Sequence, residues 1–299
     1  MHHRSWLGSA SAALLLVACA SPPVTAPDNR LEVLFVAERS FAKASTERGI
    51  RASFLEYFAA DGINFQHGPG SMRKRMLAHP PPADPLALLL DWSPQAGAVA
   101  RSDDLGFTTG PYSLRNQRDA TAPTQYGYFF SVWKRESGAW RVALDAGVST
   151  PAAPEPEAPG KAAAEAKAPP WLPPANWRAG GKDALLALER EPRSLDPEPA
   201  DAPSYFELLA SSVRVLREGS YAVRGADAVR KTLAAPMRRV QWTPAGAATA
   251  GSDDLGYTYG GYVRMRGDAQ EAVGYYVHVW QRDETGAWRL AVEVLLPPE

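Results

Sequence analysis

The chain has 299 residues with 32 basic and 33 acidic side chains, and neither half departs from that balance: residues 29–149 carry 14 basic and 12 acidic groups, residues 175–299 carry 15 and 17. Nucleic acid is therefore excluded as an expected partner, because binding a phosphate backbone rests on clustered Lys and Arg. The length suggests two domains, a hydrophobic content of 45% with nine Trp is enough for two cores, and a single cysteine excludes an internal disulfide.

In chain order, Arg4 gives a positive start and Leu7 to Ala18 is apolar or small. That run is too short for a membrane span, which needs ~20 residues, and it reads as an export signal over 1–18. It ends Leu16-Val17-Ala18-Cys19, which resembles the lipobox of bacterial lipoproteins. The resemblance implies cleavage before Cys19, lipid on its sulfur and a periplasm-facing membrane anchor. Ala20 follows Cys19 in place of an Asp retention signal and points to the outer membrane rather than the inner. Residues 19–28 read as a tether.

Leu34, Phe35, Glu38 and Phe41 fall at helical spacing within Leu31 to Ala44, and a second helix is expected around Phe54-Leu55. Ala60-Asp61-Gly62 then gives a turn signal before a strand with Ile63 and Phe65. His67-Gly68-Pro69-Gly70-Ser71 and Arg73-Lys74-Arg75 lack the Gly-Lys-Ser/Thr ending of a phosphate loop and read as a solvated helix start. Trp92-Ser93-Pro94 precedes three strands. Tyr128, Phe130 and Val132 alternate along one of them, and Trp140, Val142 and Leu144 along the next, which predicts one buried face; Arg141 and Asp145 fall on the other.

Much of this is then said a second time. Ser102-Asp103-Asp104-Leu105-Gly106-Phe107-Thr108-Thr109-Gly110-Pro111-Tyr112 matches Ser252-Asp253-Asp254-Leu255-Gly256-Tyr257-Thr258-Tyr259-Gly260-Gly261-Tyr262 at eight of eleven positions. Trp92 matches Trp242, Glu38-Arg39 matches Glu189-Arg190, and Trp133 and Trp140 match Trp280 and Trp288. A period this long marks a duplicated domain, not a solenoid. Domain 1 is expected over 29–149 and domain 2 over 181–299. Between them lies a linker over 150–180, whose residues 150–174 contain eight Pro and eight Ala and cannot build a core. Pro192, Pro197, Pro199 and Pro203 interrupt the helical region of the second copy.

Each copy resembles the nuclear transport factor 2-like superfamily, in particular its SnoaL-like bacterial members. The features are the helix with Glu38 and Phe41, Phe54-Leu55 running into Ala60-Asp61-Gly62, Trp92-Ser93-Pro94, Asp104-Leu105-Gly106, and Trp133 with Gly138-Ala139-Trp140-Arg141 and Asp145. The resemblance implies an α+β fold: two cone-shaped domains, each a curved antiparallel sheet packed on N-terminal helices. The superfamily includes enzymes and non-catalytic binding domains, so function must come from the site.

Asp61 is the candidate general base, because the ungapped alignment puts Ser211 opposite it, and a carboxylate buried inside a cone would have a raised pKa. Asp104 and Asp254 read as turn residues, and His278, opposite Ser131, as a surface or interdomain histidine on the face of Trp280. Trp92, Tyr112, Tyr128 and Trp140, with Trp242, Tyr262, Tyr275 and Trp288, are candidates to line two pockets for small apolar ligands. No spacing of His, Cys and Asp suggests a metal and none suggests a cofactor. The function expected is an envelope-anchored, non-catalytic binding or interaction module for a small apolar ligand or an envelope protein. The alternative is an isomerase, cyclase or hydrolase using Asp61. The two copies are expected to pair sheet to sheet as an internal pseudo-dimer, with Trp133 and Trp280 as its apolar anchors.

Overall fold

A computed structural model describes residues 29–65, 68–155, 180–196 and 202–298. Cys19, the export segment, His67, Pro197, Pro199 and most of the linker lie outside them. Among the described residues no helix is long and apolar enough to cross a membrane.

The first copy opens with α1 (Arg30–Arg48) and α2 (Ile50–Tyr57). Leu34, Glu38, Phe41, Ala42 and Ser45 recur at helical spacing and form the buried stripe of α1. Gly49 makes the corner between the helices at φ 85°, where a Cβ would lie 2.2 Å from the Pro85 carbonyl oxygen. Only glycine fits both demands. Next come β1 (Phe58–Phe65), β2 (Pro69–Ser71), α3 (Met72–Ala78), β3 (Leu88–Trp92) and β4 (Ala96–Val99). Three long strands follow, β5 (Leu105–Asn116), β6 (Gln125–Glu136) and β7 (Ala139–Thr150). The sheet order is β2-β1-β7-β6-β5-β3, with β4 also on β5. All pairs are antiparallel except β1 with β7.

The second copy repeats the plan with a shorter helical entry. α4 (Gly181–Arg190) stops two residues before Pro192, and a single 3-10 turn at Tyr205–Glu207 stands where α2 stands in the first copy. The remaining elements are β8 (Arg193–Ser194), β9 (Leu209–Arg217), β10 (Val223–Arg224), α5 (Ala226–Leu233), β11 (Arg238–Thr249), β12 (Leu255–Arg266), β13 (Ala269–Arg282) and β14 (Trp288–Leu296). The order is β10-β9-β14-β13-β12-β11-β8, with β9 and β14 parallel. The architecture is thus α+β, two curled sheets each closed by its own helices into a cone.

Both faces of each sheet are buried, which overturns the one-face reading. Helices cover the inner face and the other copy covers the outer one, and a bulge between the last two strands of each copy sets which side chains go to which face. Val132 pairs with Leu144 but Trp133 with Val142, so Ala143 is the extra residue; Val279 pairs with Val292 but Trp280 with Leu290, so Ala291 is extra. A one-residue shift moves every later side chain to the other face. Trp140 and Val142 therefore enter the first cone with Phe129 and Trp133, whereas Leu144, Ala146 and Val148 join Tyr128, Phe130 and Val132 outside it. Those outer residues form one cluster with Leu255, Tyr257, Val277, Val279, Val292 and Val294 of the second copy. Trp133 and Trp280, expected as anchors between the copies, are instead fully buried each inside its own cone.

The repeated Ser-Asp-Asp turns meet at the edge of this contact. Asp103 and Asp253 take positive φ, 57° and 54°, and bind the guanidinium groups of Arg135 and Arg282. Asp104 and Asp254 reach across: the Gly251 N–H donates to Asp104 Oδ2 at 2.8 Å and the Arg101 N–H to Asp254 Oδ2 at 3.1 Å. The Ser102 and Ser252 hydroxyls lie 2.9 Å apart and each accepts the other residue's N–H. Reading Asp104 and Asp254 as local turn formers was incomplete, since each caps the opposite copy.

Candidate functional site: a buried polar cluster in each cone and a cleft between them

The first cone is built around Glu38. The buried stripe of α1 holds it under the sheet, where Trp92 Nε1 donates to Oε1 at 2.6 Å and Trp133 Nε1 to Oε2 at 2.8 Å. The Thr108 hydroxyl donates to Oε2 at 2.5 Å. Burial raises the Glu38 pKa, and these donors oppose the rise. Beside it Ser131 donates to Asp145 at 3.0 Å. Burial and the neighbouring Glu38 charge push the Asp145 pKa up to about 8, which favours the protonated carboxyl.

The second cone uses the same positions, but a histidine replaces a serine and the Trp242 indole, unlike that of Trp92, makes no hydrogen bond. Glu189 stands for Glu38, Thr258 for Thr108, Trp280 for Trp133, Glu293 for Asp145, and His278 for Ser131. His278 Nδ1 lies 2.9 Å from Glu189 Oε1 and its Nε2 3.2 Å from Glu293 Oε2. Glu293 also accepts from the Tyr205 hydroxyl at 2.9 Å and Arg217 at 3.1 Å. Burial disfavours a charged imidazole, but Glu189 and Glu293 outweigh it and lift His278 to about 9. Burial likewise works against the Glu293 carboxylate, but His278 and Arg217 hold it down at about 2. The imidazolium therefore donates from both nitrogens. His278 is a buried cone residue, which corrects the surface or interdomain reading; that reading did put it on the face of Trp280, and that face packs on Leu185, Tyr205 and Phe206 inside the cone.

The second cluster leaves little room. The cavity beside Glu293, bordered by Tyr205, Arg217, Trp242, Tyr262 and Arg264, measures about 10 Å³, the space of one water. Of the eight aromatic candidates, Trp92, Tyr112 and Trp140 belong to the first cone's packing and Trp242, Tyr262 and Trp288 to the second's. Arg135 lies over Trp140 at 4.5 Å and Arg282 over Trp288 at 4.0 Å, cation–π contacts that lid the same end of each cone. Tyr128 and Tyr275 are on the opposite face, between the copies, because of the strand alternation, and line no cone.

Asp61 is also outside. Its side chain is 75% exposed and takes a 2.7 Å ion pair from Lys134, which lowers its pKa. Ala60-Asp61-Gly62 is no turn but a wide bulge, in which β1 advances five residues while β7 advances two. A depressed, solvated carboxylate is the opposite of the buried base expected at this position. The strand pairings put Ser212, not Ser211, opposite it. Asp61 and Lys134 line a cleft of about 600 Å³ between the copies, with α4 and β11 as its other walls. Sequence reasoning missed this cleft, since its walls are far apart in the chain. It also missed Glu38, Glu189, Asp145 and Glu293 as a set, although a Glu between Leu34 and Phe41 on a helix's apolar stripe was the available signal.

No family model matches the chain, and no curated protein matches it. Solved structures resemble parts of it. One is an NTF-2 like protein of unknown function from Shewanella oneidensis MR-1, 14% identical, covering 39% of this chain and 97% of that one, with a TM-score of 0.32. A ketosteroid isomerase-like protein from Erwinia carotovora atroseptica SCRI1043 is 13% identical over 41% of this chain and 97% of that one, with a TM-score of 0.33. An NTF2-like protein from Cytophaga hutchinsonii ATCC 33406 is 14% identical over 40% of this chain and 98% of that one, with a TM-score of 0.32.

Proposed function

We propose that the chain is a non-catalytic binding or interaction module of the bacterial envelope, anchored through lipid on Cys19, whose two sealed cones pair into one frame. The observation that carries this reading is the burial of the polar clusters in the cones, where Glu189 Oε2, the Trp242 indole N–H and the Tyr276 hydroxyl are the atoms left without a hydrogen-bond partner beside His278 among the described residues. Glu38 is held by two indoles and a threonine, and His278 is clamped between two carboxylates. A general acid or base must reach substrate, and these groups face only their partners. Support for the paired frame comes from the shared apolar cluster and the reciprocal serine and aspartate bonds. The anchor rests on the Leu16-Val17-Ala18-Cys19 run. The test has two arms. Solution scattering of the chain without its signal is expected to show one compact particle, and a two-bead profile overturns the frame. Palmitate is expected to label the full chain but not Cys19→Ser, and a Cys19→Ser protein that stays with the membrane overturns the anchor.

One observation favours the enzymatic reading: His278 exists in one cone only, with Glu293, Tyr205 and Arg217 around it. Diethyl pyrocarbonate, which modifies accessible histidines, separates the readings. A sealed His278 resists it in the native protein, and rapid modification, mapped by mass spectrometry, would favour an open acid–base site.

A further inference from the structure

We propose that the cleft between the copies binds a small organic anion built on a ring, an aryl carboxylate or aryl phosphate. This rests on the paired frame proposed above, because both copies supply its walls.

The cleft's volume of about 600 Å³ is that of a small-molecule site. Ile63, Leu186 and Ala245 to Ala248 give it apolar surface. Tyr257 and Tyr259 lie with rings near parallel, 19° apart, and their hydroxyls make no hydrogen bond among the described residues. Tyr259 rests on Gly246, where a Cβ would sit 2.5 Å from its hydroxyl oxygen, so the ring is fixed before any ligand arrives. Lys182 and Arg190 lie eight residues apart along α4, both border the cleft, both are exposed, and neither has a carboxylate partner among the described residues. The one cleft-lining carboxylate, Asp61, is neutralised by Lys134, which also holds Glu136 at 2.9 Å. What remains is a net positive, tyrosine-walled groove.

The duplication adds an independent argument. The pairing of Leu105 with Lys134 and of Leu255 with Gln281 places Gln281 where Lys134 stands. By the same correspondence Lys182 answers to Leu31, Tyr257 to Phe107 and Tyr259 to Thr109. Arg190 answers to Arg39, but Arg39 is paired with Glu32. The two sides of the frame thus share a scaffold, and only one carries free cations and tyrosine hydroxyls. Features that fold alone requires recur in both copies, as Glu38 and Glu189 do. The groove chemistry does not recur.

The test titrates the signal-free chain at low salt with benzoate and with phenyl phosphate, using benzyl alcohol and benzylamine as neutral and cationic controls, and reads calorimetry and amide shifts. At least one anion is expected to bind at millimolar concentration with shifts at β12 and α4, and the stronger of the two identifies the acid group. Lys182→Ala with Arg190→Ala, both exposed, is expected to fold normally and lose about tenfold or more in affinity; Tyr259→Phe is expected to lose a few fold. Absence of anion binding, an unaffected double variant, or equal binding of benzylamine overturns the proposal. Scattering on the same sample separates the failures. A compact particle that binds nothing sinks the anion site alone, whereas a two-bead profile sinks the frame and the site with it.

Discussion

Replacing Asp145 with Asn isolates the buried carboxyl of the first cone. In the folded chain its pKa stands at about 8 against 3.8 for the free side chain. Between those values the folded form holds a proton that the unfolded chain has released. Stability is therefore full below about pH 4, falls as pH rises, and levels off above about 8. At ~1.4 kcal/mol per unit, four units set an upper bound of about 6 kcal/mol. Asp145 is only partly buried by area, so water trims the shift, and about 2–4 kcal/mol is the working expectation. Asn keeps an oxygen to accept the Ser131 hydroxyl and carries no charge against Glu38. Urea unfolding at pH 5 and pH 8.5 is the assay. The stability of the variant relative to the parent should rise by about 2–4 kcal/mol from pH 5 to pH 8.5. Both proteins share the titration of His278, so their difference reports Asp145 together with its coupling to Glu38. If that difference is the same at both pH values, Asp145 is not held protonated and the account of the first cone is wrong.

His278→Ser, which writes the first cone's residue into the second, strips the cation from between Glu189 and Glu293 and should cost about 3–5 kcal/mol. Its folded pKa of about 9 lies above the free value of 6.5, so the parent loses this stability as pH rises from 6.5 to 9, and denaturation of the variant should lack that segment. Asp104→Ala with Asp254→Ala removes two acceptors for backbone N–H groups, should cost about 1–3 kcal/mol in urea unfolding, and should leave a compact scattering profile. Val277→Asp, in the fully buried contact between the copies, should open that profile instead. Asp61→Asn should shift stability by no more than about half a kcal/mol, because its ion pair is exposed. A large loss would mean Asp61 has a role that its position does not suggest.

The duplication was legible because its strongest identity falls at a turn that two separate demands hold fixed. Asp103 and Asp253 must tolerate positive φ, and Asp104 and Asp254 must reach the other copy. The α+β plan was legible from the apolar stripe around Leu34 and Phe41 and from the alternation along β6. The facing of the last strand was not. Its bulges sit at Ala143 and Ala291, small residues that nothing in the local sequence marks as extra. Missing them left Asp145 and Glu293 on the solvent side. The partners of Glu38 come from β3, β5 and β6, so a polar core assembled from them exists only once the sheet has closed over the helix. The cleft depends on one step more, the packing of the two closed units.

The bridging of the two sheets within a single chain has a kinetic and an evolutionary side. Two separate copies would meet by collision, and their pairing would fade on dilution; two tethered copies meet at an effective concentration fixed by the linker, whatever the abundance of the protein. The same tether breaks the rule that a dimer's two halves must change together. A substitution in one half is written once, so His278 could arise opposite an unchanged Ser131, and Lys182 opposite an unchanged Leu31, without the second copy bearing the consequence.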